Sequence, residues 1–226
     1  MTASSVDRIH AAVKQMAADF RFMPDERINE GHLAKSLDAS RTPLREALNR
    51  LVAEGYLTFR LGQGFFCRSL TPEEIIDLYE ARVAVETTTA RLAATRARRE
   101  DIRDLHDFLI HTGPDDGGRS AAELVALDEE FHMRIAAMAG NSELSRILDN
   151  LNGRIRFVRW IDMDARRPTT QAEHATILQS IRDRDGDRAA EVVASHISRR
   201  REEIVEAVRE GFARLYVARA EAEANT

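Results

Sequence analysis

The 226-residue chain has one cysteine, five prolines and few aromatic side chains, and it lacks any long apolar run. A lone Cys67 excludes an internal disulfide and so a disulfide-stapled scaffold, and no neighbour marks it as an activated nucleophile; it reads as a strand residue. No stretch approaches the ~20 apolar residues of a membrane span, and residues 1–20 lack the basic start and apolar middle of a secretion signal. The expectation is a cytoplasmic protein with no membrane partner. Strand-forming residues gather in one place only, between residues 56 and 67, which excludes a large sheet. What remains is rich in Ala, Leu, Arg and Glu, the make-up of a soluble helical protein, and long enough for two domains of ~100–150 residues or less.

The formal net charge of −5 argues against a nucleic-acid partner until it is divided. Residues 1–70 carry ten Lys/Arg against eight Asp/Glu, whereas the remainder carries 23 against 30. The basic excess is densest where Arg41, Arg45, Arg50, Arg60 and Arg68 face only Glu46 and Glu54, so attraction to phosphate can be local.

Ile9, Val13, Met16 and Phe20 recur at helical spacing, so a first helix is expected over about residues 6–20, before a turn at Pro24-Asp25. Asn29 is a suitable N-cap for a short second helix containing Leu33 and Leu37, and Asp38 suits a left-handed turn. Ser40 then caps a third helix whose buried stripe is Leu44, Leu48, Leu51 and Val52, leaving Arg41, Thr42, Arg45, Asn49 and Arg50 outside. Pro43 is tolerated in its first turn. Residues 56–59 and 65–67 are β-prone and separated by Leu61-Gly62-Gln63-Gly64, which reads as a hairpin. Thr71-Pro72-Glu73-Glu74 then reads as a capping box opening a helix almost without a linker. From there every segment is helical, at roughly 72–97, 100–112, 119–139, 142–163, 170–184 and 187–220, with breaks at Gly113-Pro114, Gly140, Pro168 and Gly186. The fold expected is mainly α: a winged helix-turn-helix over residues 1–70 and an all-α six-helix bundle over residues 71–226.

A helix presenting Ser40, Arg41, Thr42 and Arg45 from its first turns can reach phosphates through hydroxyls and amides, and guanine edges through guanidiniums. In isolation such a helix is better read as a solvated face with ordinary surface arginines. The preceding turn and the following hairpin favour double-stranded DNA.

Residues 27–68, RINEGHLAKSLDASRTPLREALNRLVAEGYLTFRLGQGFFCR, resemble the head of the GntR family of bacterial regulators. The likeness rests on Leu33-Ala34, Ser40-Arg41-Thr42-Pro43, Arg45-Glu46-Ala47-Leu48 and Gly55. It implies that Arg41, Thr42 and Arg45 contact operator DNA, with Ser40 and Arg50 beside them, and that Gly62-Gln63-Gly64 is a minor-groove wing tip. The chain departs from the pattern at Pro24-Asp25, where Pro-Gly is common, at Asp38, where the turn glycine stands, and at Gly31, where some members have arginine.

In the second part Asp128 and His132 lie four apart, so one helix face offers a carboxylate and an imidazole together. His174 and His196 fall on the last two helices, and a bundle can bring all four to one centre. Such a set suits zinc first, with nickel, iron or manganese as alternatives, and leaves positions open for water or an anion. Each histidine alone is also a satisfactory surface or core residue. His106 and His111 read as surface residues.

Residues 72–210 resemble the FCD ligand-binding domain of the FadR-like subfamily, through YEARVAVETTTARLAA, LDEEFHMRIAAMAGN and EHATILQSIRDRDGDRAAEVVASHI. The resemblance implies that Asp128, His132, His174 and His196 are metal ligands and that Arg82 lies near an effector pocket. Arg82 can instead form a structural ion pair with Glu86 at i+4. Arg154, Arg156, Arg159 and Trp160 are further pocket candidates, with Arg156 placed beside Arg82 as a ligand contact. The function implied is a homodimeric, ligand-responsive regulator, in most members a repressor, that is not an enzyme. A small carboxylate effector on the metal shifts the helices and respaces two heads through the short junction at Leu70-Thr71. The rival reading is an all-helical metal-dependent hydrolase, for which His106-Asp107 supplies a suggestive dipeptide.

Overall fold

The computed structural model describes residues 4–19, 21–69, 71–113, 118–166 and 170–198. They fall into two compact units that divide between Thr71 and Pro72. Among the described residues the fold is mainly α, with one small sheet.

In the first unit α1 (Ser5–Ala18) packs on α3 (Arg41–Ala53), and α2 (Glu30–Ser36) lies against α3. Asn29 caps α2 by accepting from the His32 amide at 3.0 Å, and Asp38 takes the left-handed backbone (φ 48°) that turns α2 into α3. Ser40 stands at the N-cap position of α3 but its hydroxyl makes no capping hydrogen bond, which differs from the expected cap. Ile9 and Val13 of α1 meet Leu44, Ala47, Leu48 and Leu51 of α3 in a core closed by Leu33, Leu57 and Phe65. Helix α1 ends at Ala18 and Phe20 lies outside the described residues.

Strands β1 (Leu57–Arg60) and β2 (Gly64–Cys67) pair antiparallel, with Phe59 opposite Phe65. The expected hairpin is larger than the sequence indicates. Arg27 bridges to Phe66, the Ile28 amide donates to the Phe65 carbonyl at 2.8 Å and the Cys67 amide to the Glu26 carbonyl at 2.9 Å. An otherwise marginal two-stranded ribbon thus gains a third segment. At its tip Gly62 (φ 74°) and Gly64 (φ 94°) take conformations that side chains disfavour.

In the second unit α4 (Pro72–Arg96) is central: α6 (Ala121–Met138), α7 (Ser142–Arg166), α8 (Thr170–Arg182) and α9 (Gly186–Ser198) all pack on it, and α5 (Arg99–Thr112) lies on α6 and α8. Small side chains bring α4 and α9 together, with Ala90, Ala93 and Ala94 buried on one and Ala189, Ala190 and Val193 on the other. Gly186 is not the break expected of it. It begins α9, because the turn is made by Arg184 (φ 63°), and a Cβ at Gly186 would lie 3.4 Å from the backbone of Arg91. The break at Pro168 and the last helix beyond Ser198 lie outside the described residues. No helix among the described residues is long and apolar enough to cross a membrane.

Leu48 is fully buried in the core of the first unit. Leu48→Ala should therefore destabilise that unit by about 2–5 kcal/mol. Urea unfolding followed by circular dichroism checks this, and a curve superimposable on wild type would contradict it.

Candidate functional site

The buried stripe of α4 runs Ile75, Leu78, Tyr79, Arg82, Glu86, Thr89, Ala90 and Ala93, apolar at both ends and charged in the middle. Helix α6 repeats the device with Val125, Asp128, Phe131, His132 and Ile135. The polar midsections meet His174 of α8 and His196 of α9, and Asp128, His132, His174 and His196 are all buried, with one potential ligand atom from each lying within 4.8 Å of the others. Folding brings together four residues that span 68 positions of sequence, between Asp128 and His196.

The distances inside the cluster are those of groups gathered round a point. His132 Nε2 lies 3.2 Å from His196 Nε2, His174 Nε2 lies 3.1 Å from Asp128 Oδ1, and His196 Nε2 lies 4.0 Å from the same oxygen. His196 Nδ1 is 2.7 Å from Glu173 Oε2, so it donates outward and its Nε2 lone pair faces the cluster. His132 Nδ1 lies against Glu86 Oε2, in close contact though off the ideal N–H line, and a proton held on Nδ1 toward that carboxylate leaves Nε2 as the acceptor facing inward. Two lone pairs therefore point at each other across 3.2 Å. His174 stacks on Phe131 at 3.9 Å between ring centroids, and its Nε2 has no hydrogen-bond partner. Two opposed acceptors and an unsatisfied nitrogen are relieved by one cation, so these residues fit a divalent metal.

Protonation agrees with that fit. Burial pushes His132 and His196 down to about 4 and His174 well below the ordinary histidine range, which keeps the imidazoles neutral at pH 7. Burial alone would raise Glu86, but the charge of Arg82 beside it, the contact with His132 and the charge of Arg159 hold it well below the usual carboxylate range.

Arg82 forms the ion pair with Glu86 through Nε, while its buried Nη2 has no hydrogen-bond partner. Both readings of Arg82 thus have a structural basis. Arg156 pairs with Glu129, Nη2 to Oε2 at 2.8 Å, and is partly exposed. Arg159 is 2% exposed and meets Asp128, Asn152 and Glu129. The Trp160 side chain lies outside the described residues. His106 and Asp107 are exposed on α5 and take no part in the cluster.

In the first unit Arg41, Thr42, Arg45 and Arg50 are all exposed on α3, as are Ser40 before it and Gly62 and Gln63 at the wing tip; Gly64 is half-buried. Arg45 is half exposed, 3.7 Å from Glu30 Oε2 and over the ring of Phe65. Arg50 is held by Asp7 of α1 at 2.9 Å. Exposed pairs of this kind are weak and can be exchanged for phosphate.

The sequence singles out neither Glu173 nor Asn152, and it offers Glu86 only as a partner of Arg82 and Arg159 only as a pocket candidate. An i+4 spacing flags Arg82 and Glu86, but no local pattern points Glu173 at His196, 23 residues away.

A three-helix head with a paired wing and an exposed, arginine-bearing third helix, followed by an all-helical unit, defines a winged-helix DNA-binding regulator. Residues 5–67 match the gntR family of bacterial regulatory proteins, and residues 77–199 match the FCD domain. The chain belongs to the GntR family of bacterial transcription regulators and carries an FCD domain. It is 43% identical over 201 residues to the Nta operon transcriptional regulator of Aminobacter aminovorans, covering 89% of this chain and 95% of that protein. It is 28% identical over 191 residues to the HTH-type transcriptional repressor GlaR of Escherichia coli (strain K12), covering 78% and 84%. The solved structure of E. coli McbR/YncC shares the fold, with a TM-score of 0.72 at 17% identity over 91% of this chain and 99% of that one. The hydrolase alternative finds no support, since the matched domains and relatives are those of transcription regulators, not of enzymes.

Carboxylates behind metal-bound imidazoles typically contribute 10–100-fold in metal affinity. With a divalent ion added to the cluster, Glu86→Gln and Glu173→Gln should each weaken its binding by about that factor. Competition with a chromogenic chelator measures it, and affinities equal to wild type in both variants would contradict it.

Proposed function

We propose that the chain is a ligand-responsive repressor that binds double-stranded operator DNA as a homodimer and senses a small carboxylate through one divalent metal. Residues 1–70 read DNA, and residues 71–226 hold metal and effector. The metal ligands are Asp128, His132, His174 and His196, and zinc suits them first, with nickel, iron or manganese as alternatives. The observation that carries this reading is the inward-facing Nε2 pair of His132 and His196, each backed by a carboxylate.

Charge supports an acidic effector. Arg82, Arg156 and Arg159 face Glu86, Asp128 and Glu129, and Glu173 behind His196 leaves the set with one negative charge more than positive. A divalent ion reverses that excess and draws an anion to its open positions. Bound there, the ion supplies positive charge for a carboxylate, and Arg82 Nη2, buried and without a hydrogen-bond partner, is the donor for a second anionic oxygen. Arg156 lies at the half-open side, where Glu129 holds it.

On DNA, Arg41 and Arg45 read base edges in the major groove, Ser40 and Thr42 meet phosphates, and Arg50 exchanges Asp7 for a phosphate. Gly62-Gln63-Gly64 enters the minor groove, where bare glycine backbone allows close approach. A symmetric pair of heads matches two half-sites. The repressor role is supported by GlaR, which is named a transcriptional repressor.

Against an operator selected from random-sequence DNA, Arg41→Ala and Arg45→Ala should each weaken binding by about 1–3 kcal/mol with circular dichroism unchanged. Undiminished affinity in both would remove α3 as the reader. Metal analysis should find about one equivalent per chain, lost in His174→Ala, with thermal stability falling on chelation. The same metal content after loss of two of the four ligands would overturn the site.

A further inference from the structure

Asp128 has two oxygens within reach of the imidazoles. Oδ1 lies 3.1 Å from His174 Nε2 and 4.0 Å from His196 Nε2, and Oδ2 lies 3.8 Å from His132 Nε2. Nothing in the placement of the carboxylate itself stops it from gripping an ion with both. One of the two is already taken, because the Arg159 guanidinium meets Oδ2 through Nη2. Arg159 is fixed from behind: its Nη1 is 3.2 Å from Asn152 Oδ1 and 3.4 Å from Glu129 Oε1, and the residue is 2% exposed. A buried guanidinium in a fork of acceptors cannot swing away without leaving charges unpaired.

We propose that Arg159 is a positioning residue of the metal centre, which by holding Asp128 Oδ2 restricts the aspartate to one coordinating oxygen and so keeps a position open for the effector's carboxylate. The inference rests on the metal-and-carboxylate reading given above. Its physical basis is competition for one oxygen. A carboxylate oxygen that accepts a charge-assisted hydrogen bond is a poorer metal donor, and a ligand prevented from chelating leaves the ion short of a donor that an incoming anion can supply. Arg159 would therefore weaken the hold on the metal slightly while strengthening the hold on the anion. A purely structural residue would change both in the same direction.

The test uses the full chain loaded with cobalt(II), whose visible bands report coordination number and geometry, and acetate as the carboxylate probe. Wild type should take up about one cobalt per chain, and acetate should change the bands. In Arg159→Gln the metal should bind as tightly as in wild type or tighter, the acetate-free spectrum should shift toward higher coordination, and acetate affinity should fall at least about tenfold, the scale of loss seen when groups behind metal ligands are removed. Arg159→Lys, which keeps a charged donor for Oδ2, should restore the wild-type spectrum and most of the acetate affinity. Should Arg159→Gln fail to fold, Asn152→Ala makes the same measurement by loosening Arg159 without removing it, with the same changes expected to a smaller degree. An acetate affinity and cobalt spectrum equal to wild type in the folded variant overturn the proposal, as does loss of metal and acetate binding together. If wild type itself takes up no cobalt, the metal reading fails first, which is a different result from a loaded protein indifferent to Arg159.

Discussion

The second unit is organised by the need to keep a set of charges inside a helical bundle. Arg82, Glu86, Asp128 and Arg159 are all buried beside the neutral imidazoles of His132, His174 and His196, and an ion removed from water costs several kcal/mol unless close partners compensate it. The compensation is pairwise: Arg82 and Glu86 pair within α4, and the other pairings cross helices. Glu86 of α4 faces Arg82 and His132, Asp128 of α6 faces Arg159 of α7, and Glu173 of α8 faces His196 of α9. Each pairing between helices fixes the rotation of two helices about their axes, so the charged layer sets the register in which the apolar ends of the same stripes must pack.

That constraint accounts for the surrounding architecture. Helix α4 touches most of the bundle because its charged midsection must be covered on several sides, and alanines on α4 and α9 allow the necessary approach. Where the layer is not fully neutralised from within, at His174 Nε2, Arg82 Nη2 and Asn152 Nδ2, buried polar atoms are left without hydrogen-bond partners. These are the places where a metal or an anion would have something to satisfy.

The first unit works by the opposite arrangement. Its charges are outside, over a core of Ile9, Val13, Leu44, Leu48 and Leu51 that holds α3 with Arg41, Thr42 and Arg45 exposed. Exposed arginines tethered by weak surface pairs, such as Arg50 to Asp7, remain available to phosphate at little cost. A chain of net charge −5 can therefore belong to a DNA-binding family, because its basic excess is local to the first unit and densest from α3 through the wing.

Much of this was legible in the sequence because it depends on periodicity and local backbone chemistry. Leucines at helical spacing, Asn29 as a cap, Asp38 in a left-handed turn and paired glycines at the wing tip act over a few residues, and each can be read without knowing what packs against it. The i+4 spacing of Asp128 and His132 belongs to the same class. Local signals fell short elsewhere: Gly186 opens α9 while Arg184 makes the turn before it, the Ser40 hydroxyl leaves its cap unmade, and Arg27 joins the wing as an extra partner. The partners that tune the cluster were decided by tertiary structure alone. Glu173 reaches His196, and Arg159 reaches Asp128 across 31 positions, because helix packing brings distant charges within a few ångströms and burial then obliges them to pair.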